Sequence, residues 1–265
     1  MDALFELCGV AALKHHWTTL LASAFACSVI VQLSQLISAS FFPETYPKLM
    51  GAKRLNWDVH VVSTVHAVTI VILATPLLWN ETLLQDKIFG YDFHAGQVYA
   101  VACGIRHVKD FGIGFVFHGF CSFSVFICSF RPFLQYFGSV FLMFELSTPF
   151  LNIHWFMDKL GMTGSAYQLA NGIVLLSVFF SARIVFGLYM SYQTYLSVMP
   201  VIAQVPWHLI IIYSAANVVL NSLNLFWFYK MIESLMKRFK PSKKTRSSST
   251  PASEVSEKLK NKREQ

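Results

Sequence analysis

From Trp17 to Phe42 the chain runs for 26 residues without an Asp, Glu, Lys or Arg. A stretch this long and apolar can satisfy its backbone inside a bilayer only as a helix, and about 20 residues suffice to cross. Lys14, His15 and His16 precede it in the manner of a signal peptide. Its apolar length exceeds the roughly 7–15 residues of a signal-peptide core, so it reads as a retained helix. The whole chain agrees: of 265 residues 55% are hydrophobic and only 13% charged, where a soluble domain carries about 25% charged residues. That excludes a soluble globular enzyme, a disordered chain and a disulfide-rich secreted scaffold. The fold class is all-α, a polytopic bundle of membrane helices.

Further spans are expected over about 59–79, 91–105, 113–130, 133–156, 166–193 and 205–229. The count is seven, with six as the alternative because 91–105 is short for a crossing. Pro76 predicts a kink or stop at the end of the second span, and Arg106, His107, Lys109 and Asp110 divide the third from the fourth. Seven spans put the termini on opposite sides. With the C-terminus cytosolic, the cytosolic loops hold Lys48, Lys53, Arg54, Arg106, Lys109 and Lys159, against Lys14, Lys87 and Arg131 on the other face. This is the bias that positive-inside topology requires. The acceptor sequon Asn80-Glu81-Thr82 then falls in a lumenal 80–90 loop, which makes Asn80 a candidate glycosylation site.

The net charge of +7 lies entirely at one end. Residues 1–236 carry 11 basic and 11 acidic side chains, whereas residues 237–265 carry 10 and 3. A basic flank just after the last apolar stretch suits attraction to anionic lipid, and nothing here points to nucleic acid. The chain divides into a short lumenal N-terminus (1–16), a membrane domain (17–235) and a basic Ser/Thr/Lys tail (236–265) with the composition of a disordered segment. The end of that tail, Lys260 to Gln265, loosely resembles a basic endoplasmic-reticulum retrieval signal. The five cysteines (8, 27, 103, 121 and 128) form no CxxC pair, so neither a disulfide framework nor a metal site is expected. Walker, GxSxG, HExxH and GxGxxG signatures are absent, and no cofactor is implied.

Polar residues inside the spans are costly and mark cavities or helix contacts. His66 (in VSTVHAV) and His118 (in FVFHGF) are deep enough to need a partner. His60 and His66, six apart, do not share one face of a straight helix. Glu145 falls mid-span in FLMFELSTPFLNIHWF without a neighbouring opposite charge. It is either protonated or paired, with Arg183 of the sixth span the first candidate and His66 or His118 the others. Pro149 removes a helical hydrogen bond, and the hydroxyls of Ser147 and Thr148 can take up the freed carbonyls. Asn152, His154 and Trp155 follow. Asn217, Asn221 and Asn224 form one helical stripe that should face another helix or a cavity.

The segments NWDVHVVSTVHAV (56–68), GYDF (90–93), FVFHG (115–119) and FELSTPFLNIHWF (144–156) resemble, in order and spacing, the TLC domain superfamily. The likeness is to its branch of small TLC-domain-containing transmembrane proteins, over about residues 15–235. The resemblance implies a helix bundle around a lipid-sized cavity in an endoplasmic-reticulum or Golgi-type membrane. It also implies either acyl-CoA-dependent N-acylation of sphingoid bases or regulation of lipid composition without a defined reaction. The ceramide synthases of this superfamily use a His-His pair. Here His118 matches the first His, and Gly119 stands where the second would be.

The expectation is therefore a multi-pass protein that binds or senses lipid and contributes to membrane lipid homeostasis, with sphingolipid the first candidate. The cavity residues would be His66, Asp92, His118, Glu145, Asn152 and Arg183. The alternative is a ceramide-synthase-like acyltransferase taking long-chain acyl-CoA and a sphingoid base. It would use His118 as base and Asp92 or Glu145 to orient it, leaving the oxyanion without an obvious donor. A third reading, help in membrane-protein insertion, rests on the fold-level relation alone.

Overall fold

The structure is a computed structural model that describes residue 6 and residues 9–104 and 113–239. The charged loop with Arg106, His107, Lys109 and Asp110, Cys8 and the basic tail beyond residue 239 lie outside the described residues.

No strand occurs among the described residues. A 3-10 turn over Ala11–His15 leads into α1 (Trp17–Phe41), followed by α2 (Ala52–Ala74), a short α3 (Glu81–Gln85), α4 (Phe93–Cys103) and α5 (Ile113–Cys128). Then come α6 (Gln135–Leu142), α7 (Thr148–Lys159), α8 (Ala166–Phe179), α9 (Phe186–Val198) and α10 (Trp207–Phe239). Several helices join end to end. A 3-10 segment over Met143–Ser147 links α6 to α7, and a π-helical turn over Phe180–Val185 links α8 to α9.

Among the described residues, four helices are long and apolar enough to cross a membrane: Trp17–Phe41, Ala52–Trp79, Ala166–Gln204 and Trp207–Lys237. They correspond to the expected first, second, sixth and seventh spans, and the chain is an integral membrane protein. The fifth expected span is a composite, a helical path from Gln135 to Lys159 that changes pitch at Met143–Ser147. The third differs from expectation. α4 has 11 residues and ends at Cys103, a rise of about 16 Å, roughly half the hydrocarbon thickness. Pro76 marks the passage of α2 into a 3-10 turn over Thr75–Trp79, as the missing N–H requires.

The helices start where short polar side chains can take orphan backbone donors. Asn80, Asp92 and Ser165 accept from the amides of Leu83, Ala95 and Gln168. Outer faces are apolar and inner faces small or polar, as lipid demands. In α1 the buried positions are Cys27, Ser34 and Ser38, whereas Phe25 and Leu36 are 71% and 69% exposed. α2 is central, packing on α1, α4, α7 and the Met143–Ser147 segment, while α5 lies along α10. One buried cluster joins Ile70, Ala74, Tyr99, Phe130 and Met143. A second joins Phe133, Phe137, Val140, Met190 and Leu209.

Candidate functional site

The inner faces of α2 and of α5 to α10 border a cavity of about 1560 Å³, above the roughly 300–1,000 Å³ of ordinary small-molecule pockets. Most of its wall is aliphatic and aromatic, including Ile70, Phe123, Phe126, Phe137, Leu175 and Phe179. Some of its polar groups lie where the flanking helices are irregular, and others on the regular helices α2, α5, α7, α9 and α10.

Arg183 lies in the π-helical turn and is 6% exposed. Its Nε donates to the Phe144 carbonyl and to Ser147 Oγ, both at 3.0 Å. Its Nη1 donates to Asn224 Oδ1 and its Nη2 to Thr148 Oγ1, each at 3.3 Å. The rings of Phe179 and Phe144 sit 5.1 Å and 5.8 Å from the guanidinium carbon. Both partner segments are shaped for this. The π turn widens the helix around Arg183, and the 3-10 segment before Pro149 presents the Phe144 carbonyl and Ser147 Oγ to it. Ser147 Oγ also donates to the Phe144 carbonyl at 3.2 Å.

The expected Glu145–Arg183 ion pair does not form: no nitrogen of Arg183 lies within 4.0 Å of a carboxylate oxygen among the described residues. The pitch of the 3-10 segment explains it. Residues three apart eclipse, so Phe144 and Ser147 share the face toward Arg183 and Glu145 is turned about 120° away. Glu145 still lines the cavity, as Arg183 and His66 do. The ring of His66 meets the Val101 carbonyl at 3.3 Å through Nε2. That carbonyl can only accept, so Nε2 carries the proton.

A second polar group joins α7 to α2. Asn152, 2% exposed, receives a hydrogen bond from His60 Nδ1 at 2.8 Å on its Oδ1. Its Nδ2 donates to Thr64 Oγ1 at 2.9 Å and Ser63 Oγ at 3.2 Å. Trp155, one helical turn on, stacks on the His60 ring at 4.0 Å. A third group lies on α10. The Nδ2 atoms of Asn217 and Asn221 both reach Ser191 Oγ at 3.0 Å, so the asparagine stripe faces a helix and the cavity together. His118 also lines the cavity, with Trp227 edge-on at 5.5 Å.

Five of the six residues predicted for the cavity, His66, His118, Glu145, Asn152 and Arg183, border it. Asp92 does not, and this is a correction. Its carboxylate caps α4 through the Ala95 amide at 2.9 Å, and its own amide donates to Gln135 Oε1 at 3.0 Å. Gln135 in turn holds the Ser129 carbonyl, just past the end of α5. His118 is ten residues back from Cys128, about 15 Å along the helix, so Asp92 does not orient it. Asn80, the candidate glycosylation site, caps α3.

Two contacts were not legible in the sequence. The first is that of His60 with Asn152, 92 residues away; His60 was weighed above only for its spacing to His66. The second is that of Asp58, just before the expected start of the second span. It is 1% exposed and accepts from Ser34 Oγ at 2.8 Å and from the Tyr46 hydroxyl at 2.8 and 3.1 Å. Among the described residues, no cluster of three or more His, Cys, Asp or Glu has the arrangement of a metal centre.

A family model described as TLC domain matches residues 56–233. A TLC domain-containing protein of Schizosaccharomyces pombe is 40% identical, with 94% of this chain and 87% of the relative covered. TLC domain-containing protein 4 of Xenopus tropicalis is 32% identical over 77% and 85%. Topoisomerase I damage affected protein 4 of Saccharomyces cerevisiae is 30% identical over 71% and 72%. No solved structure matches the chain.

Proposed function

Because the chain belongs to the TLC domain family, membrane proteins linked to lipid metabolism or homeostasis, we propose that it binds or senses a lipid in this cavity and so contributes to membrane lipid homeostasis. One observation carries the reading. A large, mostly apolar cavity carries polar groups at two irregular helix segments, Met143–Ser147 and Phe180–Val185, and further ones on α2, α7, α9 and α10. That is the division an amphiphile needs, chains against Phe and Leu and a head against Arg183, Glu145 and His66. Sphingolipid remains the first candidate class, in an endoplasmic-reticulum or Golgi-type membrane with the C-terminus cytosolic.

The alternative, acyl transfer from long-chain acyl-CoA to a sphingoid base, keeps His118 as base and leaves Glu145 as orienter now that Asp92 is at the far end of α5. Gly119 supplies no side chain to stabilise an oxyanion. The lipid-binding reading needs neither role filled.

The test is purified protein in nanodiscs, supplied with sphingoid base and long-chain acyl-CoA and read by mass spectrometry beside His118→Ala. Co-purifying lipid without product supports a binding protein. Product from the wild type alone makes the chain an enzyme and overturns the proposal.

A further inference from the structure

Arg183 and Glu145 line one cavity and do not meet; Lys230, which also lines it, is paired with Glu233. Arg183 is held by neutral acceptors only, the Phe144 carbonyl, the Ser147 and Thr148 hydroxyls and the Asn224 amide oxygen. Four bonds from three directions lock the guanidinium plane, so it cannot swing toward Glu145. Glu145 lines the same cavity, and no Lys, Arg or His nitrogen lies within 4.0 Å of its carboxylate among the described residues.

In a medium of low dielectric, oppositely charged groups in one cavity gain strongly by contact. A fold that sets them in one cavity without contact leaves Glu145 to be paired, and the remaining N–H groups of Arg183 to be met, by a ligand. Asn224, whose Oδ1 accepts from the guanidinium, is 1% exposed and does not line the cavity. His66 spends its Nε2 proton on the Val101 carbonyl, which leaves Nδ1 as an acceptor. One side of the site thus offers donors and positive charge, the other acceptors and negative charge.

We propose that the site takes an amphiphile whose head carries both an anionic group and a protonated amine, the anion on Arg183 and the amine on Glu145 and His66. This rests on the lipid-binding reading and names the head that the reading leaves open. A neutral head would leave both charges unmet. A purely anionic head would meet Arg183 and be repelled by Glu145.

The experiment uses the full chain in detergent and native mass spectrometry with three probes of identical dioleoyl chains: phosphatidylethanolamine, phosphatidic acid and diacylglycerol. Wild type should retain the ethanolamine lipid about tenfold or more over the other two, the size expected of one charge-assisted hydrogen bond gained. Glu145→Gln should bring phosphatidic acid to within about twofold of the ethanolamine lipid, since the repulsion and the amine contact go together. Arg183→Gln should reduce both phospholipids toward diacylglycerol. If that variant fails to fold, the wild-type ranking and Glu145→Gln decide alone. Equal retention of the three probes, or a ranking that Glu145→Gln leaves unchanged, overturns the head assignment and leaves the lipid-binding reading standing. Retention of none of them also overturns the head assignment, and co-purifying lipid in the nanodisc experiment then decides the lipid-binding reading.

Discussion

His60 Nδ1 donates to Asn152 Oδ1 at 2.8 Å across 92 residues of sequence, and through this contact α7 is held to α2. Because Asn152 spends its other donor atoms on Ser63 and Thr64, the amide is satisfied on both ends inside the bundle.

Asn152→Ala removes all three bonds and leaves the His60 N–H without its acceptor. An unsatisfied buried donor costs about 1–3 kcal/mol, and interhelical hydrogen bonds in membranes fall at the lower end. The expected loss is about 1–2 kcal/mol in reversible unfolding from mixed micelles. Asn152→Gln should not restore it, since the longer chain cannot keep both ends in register. Stability unchanged in Asn152→Ala would show that the contact contributes nothing net.

Asp58 and Tyr46 couple the turn after α1 to the start of α2. Tyr46→Phe removes the one hydroxyl proton shared between the two Asp58 oxygens and should cost about 1.5–3 kcal/mol. Combined with Asp58→Asn it should cost clearly less than the two single changes together, because both remove the same interaction. A double-mutant cycle that is additive within error would mean the pair is not energetically linked.

His16 gives a pH signature at the membrane edge. Its ring is fully buried against Phe93 and Phe130, and its Nε2 meets the Tyr91 hydroxyl at 2.8 Å. Its Nδ1 has no partner among the described residues. Burial, then the neighbouring His15, lowers its pKa below 6.5. The folded state therefore resists protonation while the unfolded chain accepts it. The stability contributed is complete above pH 6.5 and falls as the pH drops from there toward the folded value. The midpoint of thermal unfolding should decline between about pH 7 and pH 5.5, and His16→Gln should flatten that part of the profile. A profile of equal slope in both proteins would remove His16 as its source.

Gly96 makes that burial possible. A Cβ at this position would run into the His16 ring, which Phe93 and Phe130 keep from moving aside. Gly96→Ala is expected to destabilise by about 1–3 kcal/mol despite the better helix propensity of alanine, read as a lower unfolding midpoint. A stabilised Gly96→Ala protein would mean that α4 shifts freely against the N-terminal turn.

Helix content and membrane residence were legible in the sequence because they follow from local rules. An apolar run in lipid must close its own backbone hydrogen bonds, and charges mark where it stops. Pro76 and Pro149 announced the pitch changes at Thr75–Trp79 and Met143–Ser147 for the same reason. The four segments from Asn56 to Phe156 were enough to point to the family. What stayed hidden was how side chains far apart in sequence meet. Asp92 looked like a cavity acid and proved to be the cap of its own helix, since an acid one residue before a helix finds the nearest orphan amides first. Glu145 and Arg183 looked like partners because their charges are opposite. The 3-10 segment rotated one away, and a π turn opened the other toward a carbonyl and three neutral side-chain acceptors on three different elements. Sequence sets which residues are costly in lipid; only the packed helices decide which group each of them meets, because that depends on rotation and pitch summed over separations of 35 to 92 residues.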